Sequence, residues 1–303
     1  MISDRCTLLV VGVAIVAASC SRAPRDPRSE LARLGIPYTA ESFLSRADDD
    51  DPAVIGSFLT LGMDPNVHDA DGASALMRAA AGGHLAVVRL LLEKGATVNV
   101  TNTLGTTPLS AAIANGHTEV VSALVDKGAE LSPPTVDRSP LMLAIRAGRA
   151  DVVKRLLDKG AVPYVQDDKW SALMLAAFLG QAEIVKALLD KGANVNVAND
   201  QGITAVMSAA SRDQAEILRL LLAKGAAIDA RDLGGETALM FAANNGQIET
   251  VKALIEAGAD VSARTKSGIT AASLASGNGH TAIVSLLQNA PARQARPSAS
   301  PHP

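Results

Sequence analysis

Aromatic side chains are scarce in this chain of 303 residues: four Phe, two Tyr and one Trp, or 2%. Large globular cores draw much of their buried area from such rings. The core here must instead be assembled from Ala, Leu and Val, within an apolar content of 48%. Cysteine is scarcer still. Cys6 and Cys20 both precede residue 21, so the rest of the chain has neither a disulfide pair nor a thiolate metal cluster. No excess of positive charge exists either: the net charge is -3 with the two signs interspersed. A nucleic-acid surface needs a basic stripe, so no nucleic-acid partner is expected.

Long hydrophobic runs are also missing. The apolar stretch over residues 7–18 follows Arg5 and falls short of the roughly 20 residues of a membrane-spanning helix. Its length and flanks fit a secretory signal over residues 1–19. The stretch ends in Val16-Ala17-Ala18-Ser19-Cys20, which resembles a bacterial lipoprotein lipobox. The resemblance implies that Cys20 is lipidated and becomes the N-terminus. Ala17 and Ser19 fit an ordinary signal-peptidase site as well, and that alternative stays open. The expected location is periplasm-facing and lipid-anchored, more readily to the outer than the inner membrane, with a soluble periplasmic or secreted form as the alternative. Residues 20–38 carry prolines and arginines without an apolar stripe and read as a tether with a short ordered end. Residues 291–303, rich in Pro, Ser and Ala, read as a disordered tail.

Between these ends the chain repeats. Gly62, Gly95, Gly128, Gly160, Gly192, Gly225 and Gly258 recur every 32 or 33 residues, and a second series through Gly72, Gly105, Asp137, Lys169, Gly202, Gly235 and Gly268 keeps the same period. Two ladders with one period are the mark of a repeat array. With Gly-x-Thr-Pro-Leu at residues 105–109 and Gly-His before Glu-Val-Val at 116–121, the period resembles the ankyrin repeat over residues 41–290. The resemblance implies an all-α solenoid of stacked helix-turn-helix units joined by β-hairpin loops, about eight units with caps. The expected boundaries are an N-terminal cap at 39–68, repeats at 69–101, 102–133, 134–165, 166–198, 199–231 and 232–264, and a C-terminal cap at 265–290. The polar Ser42, Ser45, Arg46 and Gln288 fit the outward faces that terminal units need.

Each unit has a physical grammar. Thr107 and its counterparts Ser74, Ser139, Ser171, Thr204, Thr237 and Thr270 suit the N-cap of a first helix. Small residues such as Ala79, Ala112, Ala176, Ala209 and Ala242 let neighbouring first helices approach closely. Second helices carry an acid near the start, as at Glu119 and Glu183, and a lysine at the end, as at Lys94 and Lys191, in line with the helix dipole.

Chemistry finds little to work with. His84, His117 and His280 share one repeat position, and the resemblance implies a structural role in bonding backbone rather than metal. The run Asp48 to Asp51 before Pro52 resembles calcium ligands, but a solvated loop with an N-cap fits it better. No nucleophile elbow, phosphate loop or zinc-protease segment occurs, so neither catalytic residue, metal nor cofactor is expected. An enzyme with an unrecognised activity is the weakest alternative.

The resemblance places partner binding on the concave face, where sequence varies between units. The candidates are Val136, Arg138, Arg146, Asp167, Asp168, Trp170, Phe178, Leu179, Ile203 and Arg212. Trp170 is the only tryptophan, and Trp, Tyr and Arg dominate interface hot spots. The alternative is that Trp170 and Phe178 pack on each other to repair shortened tips. The expected function is a monomeric, membrane-tethered scaffold that docks or protects an exported protein. The alternative is a secreted or surface-displayed binder acting on another cell.

Overall fold

A computed structural model describes residues 26–132, 139–165 and 169–290. The proposed signal, Cys20, most of the tether and the tail lie outside the described residues, as do Val136, Arg138, Asp167 and Asp168. Within them no helix is long and apolar enough to cross a membrane.

The chain forms a two-layer stack of paired helices. First helices are α2 (Ala40–Arg46), α4 (Ala75–Gly82), α6 (Pro108–Asn115), α8 (Pro140–Arg146), α10 (Ala172–Phe178), α12 (Ala205–Ala210), α14 (Ala238–Asn244) and α16 (Ala271–Gly277). Each is followed by a second helix: α3 (Pro52–Thr60), α5 (Leu85–Glu93), α7 (Thr118–Asp126), α9 (Ala150–Asp158), α11 (Ala182–Asp190), α13 (Ala215–Ala223), α15 (Ile248–Glu256) and α17 (Thr281–Gln288). One further helix, α1 (Pro27–Arg33), starts at the Asp26 N-cap and packs Leu31 against the first pair. The ordered part of the stretch read as a tether is therefore a helix that closes the stack.

Local chemistry sets the boundaries. Ser74, Thr107, Ser171, Thr204 and Thr270 each accept the N–H three residues on, satisfying donors that the helix start leaves unpaired. Ser139 and Thr237 sit at the same place without that bond. Gly95 and its counterparts follow the terminal lysines at φ near +90°, the left-handed geometry that ends a helix where only glycine is unstrained. Asp51 accepts from Ala53 and Val54 ahead of Pro52, so the acidic loop is partly an N-cap.

Second helices bury a repeated aliphatic set, such as Val87, Val88 and Leu91 or Ile184, Val185 and Leu188. Together with the first-helix alanines they form one continuous core from Leu31 to Leu287. First helices lie closer together than second helices at α4/α6, α10/α12 and α14/α16. Around α8 the two layers are matched.

The expected β-hairpin loops are not there. Among the described residues no strand forms, and only two isolated bridges occur, His68 with Ser74 and Ala198 with Thr204. The reason is the side chain at the start of each tip. Asp69 Oδ1 accepts the N–H groups of Asp71 and Ala73 at 3.0 and 2.8 Å, and Asn102 Oδ1 those of Leu104 and Thr106 at 3.1 and 2.8 Å. Asn199 does the same for Gln201 and Ile203. A carboxylate or amide thus closes a tight loop, with two backbone bonds inside it such as Asp69 N–H to Ala73 O and Gly72 N–H to Asp69 O. Neighbouring tips join through backbone bonds such as Thr103 N–H to Asp71 O and Leu233 N–H to Gln201 O, and through side-chain bonds such as Asn199 Nδ2 to Lys169 O at 2.7 Å.

Candidate binding face

The ends of the first helices and the following turns form a ridge along one side of the stack. Toward both ends of the array this ridge bonds to itself. Asn115, Asn245 and Asn278 each donate from Nδ2 to the carbonyl of the preceding unit, on Ala81, Ser211 and Asn244, at 3.1, 3.5 and 3.0 Å. His117 and His280 place Nε2 on the same carbonyls of Ala81 and Asn244 at 2.9 and 3.2 Å, and His84 reaches Asp48 O at 2.8 Å. The repeated histidines are thus inter-unit staples.

At the centre the same register holds Ala147, Leu179 and Arg212 in place of asparagine. Trp170 precedes the N-cap of α10 and Phe178 ends it. Helical side chains lean toward the N-terminus, so Phe178 lies back along α10 and meets the tryptophan. Their ring centroids are 4.8 Å apart at 53°, a tilted geometry favoured by the ring quadrupoles. Arg212 from the next unit stacks its guanidinium 4.3 Å from the Phe178 centroid. Leu179 projects beside them, 44% exposed. Trp170 and Phe178 are each half-buried, so they pack on each other and still present a surface. Ile203 is half-buried at the neighbouring tip, and Arg146 is exposed one unit before Phe178. Tyr164 is 69% exposed.

The second-helix side is built differently. Lys154 pairs with Glu183 at 3.0 Å, Lys191 with Asp158 at 2.9 Å and Lys224 with Asp190 at 3.1 Å, and Lys159 pairs with Asp126. The Asp158 carboxyl is held below the usual carboxylate range by its hydrogen bond and charge contact with Lys191. A groove of about 530 Å³ between α9 and α11 is lined by these same charges. Opposite signs neutralise each other along it, so it selects no ligand charge. Among the described residues no group of three or more His, Cys, Asp or Glu is placed to hold a metal ion.

Asp213 takes the place of the turn glycine and holds φ at 57°. Its Oδ1 accepts from the N–H and the hydroxyl of Thr250 at 3.2 and 2.9 Å. Thr250 is fully buried, where the other units have Val or Ile. The carboxylate caps α15 from the previous unit, since Gln247 makes no side-chain cap bond. The paired departures from the repeat, Asp for Gly and Thr for an aliphatic, were the available signal.

The family model described as ankyrin repeats (3 copies) matches residues 45–135, 131–199 and 173–265. A crystal structure of the human ASB11 ankyrin repeat domain is similar at a TM-score of 0.60 and 26% identity, covering 71% of this chain and 96% of that one. Among curated proteins no relative matches. This family is a non-catalytic scaffold for protein–protein interaction. The matched segments span well over half of the chain, and it belongs to the ankyrin-repeat family.

Proposed function

We propose that this array holds a partner protein on its first-helix face, the concave side in the family, and that Cys20 tethers it to a membrane after export. The observation that carries the binding reading is the stack of Arg212 on Phe178 on Trp170 with Leu179 exposed beside it. It joins two units and unites the residue types that dominate hot spots. Arg146 extends the face one unit back, and Ile203 lines the adjacent tip. The arginine and apolar run before Cys20 supports export, and a lipid at Cys20 with a second acyl chain would anchor stably. Docking or shielding an exported protein follows from that address.

The test is affinity capture from an envelope fraction with the full chain and a Trp170→Ala, Phe178→Ala variant. A partner enriched by the first and lost by the second, with helical circular dichroism retained, is the expected outcome. Equal capture by both removes the binding reading. Acyl labelling that persists in Cys20→Ala removes the lipid anchor at that residue.

A further inference from the structure

At the seventh and eighth residues after the N-caps, from Ala81 and Gly82 to Gly277 and Asn278, the ionisable side chains are Arg146 and Arg212. In the turns beside them His84, His117 and His280 bond to backbone, and Arg149 adds a third cation. Arg146 and Arg212 are both exposed. The carboxylate next in sequence, Asp213, is turned to Thr250. Arg212 is paired with a ring face rather than with an acid. Stacking occupies the face of a guanidinium and leaves its N–H donors pointing outward in the plane, a fork that fits a carboxylate. Leu179 and the half-buried rings beside it lower the local dielectric and strengthen such a bond. Among the described residues of the adjacent tips Lys169 and Asp200 are both exposed, one of each sign, and Asp167 and Asp168 precede Lys169 in the sequence. On the opposite side of the stack Lys154, Lys191 and Lys224 are paired with Glu183, Asp158 and Asp190.

Resting on the reading of this ridge as the binding face, we propose that its occupant is an extended acidic segment of a partner protein. An apolar side chain of that segment packs on Leu179 and Phe178, and a neighbouring carboxylate accepts from Arg212.

Trp170 is the only tryptophan, so its emission reports directly on this spot. The full chain is titrated with a tryptophan-free peptide of Asp and Glu around a central Leu-Phe pair. Its Asn/Gln counterpart, its Lys counterpart and phosphatidylglycerol vesicles are titrated in parallel. The acidic peptide is expected to shift Trp170 emission saturably and to bind about tenfold more tightly than the amide peptide, as a charge-assisted bidentate pair does. Arg212→Gln, checked for fold by circular dichroism, should bring the two peptides to equal affinity. Arg219→Gln on the second-helix side should leave the preference intact.

Equal binding of acidic and amide peptides, both shifting Trp170, overturns the acidic partner while the binding face stands. A preference that survives Arg212→Gln, a tighter Lys peptide, or a stronger shift with vesicles than with peptide overturns the proposal. So does the absence of binding by every peptide. Acidic-peptide binding seen by calorimetry with Trp170 emission unmoved overturns the proposal and the binding face together.

Discussion

The ends of the first-helix ridge and its centre use one register position for opposite purposes. At the ends, Asn115, Asn245 and Asn278 donate to the preceding unit, so the polar side chain is spent on the stack. At the centre, Leu179 and Arg212 make no such rung, and an aromatic pair and a stacked guanidinium rise beside them. A repeat array gains stability from each unit-to-unit contact. At the centre Gln181 Nε2 still joins the units through Ile145 O at 2.8 Å, so it is the asparagine rung alone that gives way to exposed apolar and cationic surface.

If the difference is confined to the ridge, the core beneath should be equally strong in both regions. Leu156→Ala in α9 and Leu254→Ala in α15, both fully buried, should each lose about 3 kcal/mol in urea unfolding. A much smaller loss at Leu156 would mean that the centre is loosely packed throughout. Trp170→Ala should weaken partner capture by about 2 kcal/mol or more with helical content unchanged. Loss of unfolding stability at unchanged affinity would show instead that the ring pair serves packing alone.

The next effect tests a flank. Asp213→Ala leaves the buried Thr250 hydroxyl without its acceptor and should lose about 1–2 kcal/mol. The double substitution Asp213→Gly, Thr250→Val returns the unit to the repeat pattern and should recover most of that loss. Additive losses in a double-mutant cycle would deny the coupling. Exchanging the ridge chemistry should work in both directions on a scale of about 1 kcal/mol. Asn278→Ala should destabilise, whereas Leu179→Asn should stabilise the centre and weaken binding; thermal melts and Trp170 titrations check the two halves.

The smallest effect is ionic. Asp69 is lowered by its hydrogen bond to Arg78, Asp151 by the Thr118 hydroxyl and Asp158 by Lys191. A carboxyl depressed in the folded state stabilises above its unfolded pKa of about 4, and that contribution is lost as pH falls through the folded value. Glu236 is raised, by burial first and by Asp232 second. Its contribution has the opposite sign: it is present below the unfolded value and lost as pH rises through the folded one. Glu236→Gln should therefore raise the urea midpoint at neutral pH and change it little near pH 4. A midpoint lowered at neutral pH would contradict this.

The glycine ladders, the N-cap hydroxyls and the lysine ends were legible because each answers to local backbone geometry within one unit. The tips depart from the expected hairpins for the same reason. The resemblance implied hairpins, but Asp69, Asn102 and Asn199 turn the chain with a side chain and leave no strand ladder. Residues 27–33 showed no apolar stripe because a seven-residue helix buries only Leu31.

From the sequence alone came the period, the order of helices and the cluster of unusual side chains around Trp170, since each is a property of residues within about one repeat. Only the tertiary structure brought Arg212 onto Phe178, Asp213 onto Thr250 and Asn278 onto Asn244. Those contacts cross from one unit to the next, and which side chains meet there depends on how the units stack. That stacking decided which side chains of the ridge are used up by the array and which stay exposed.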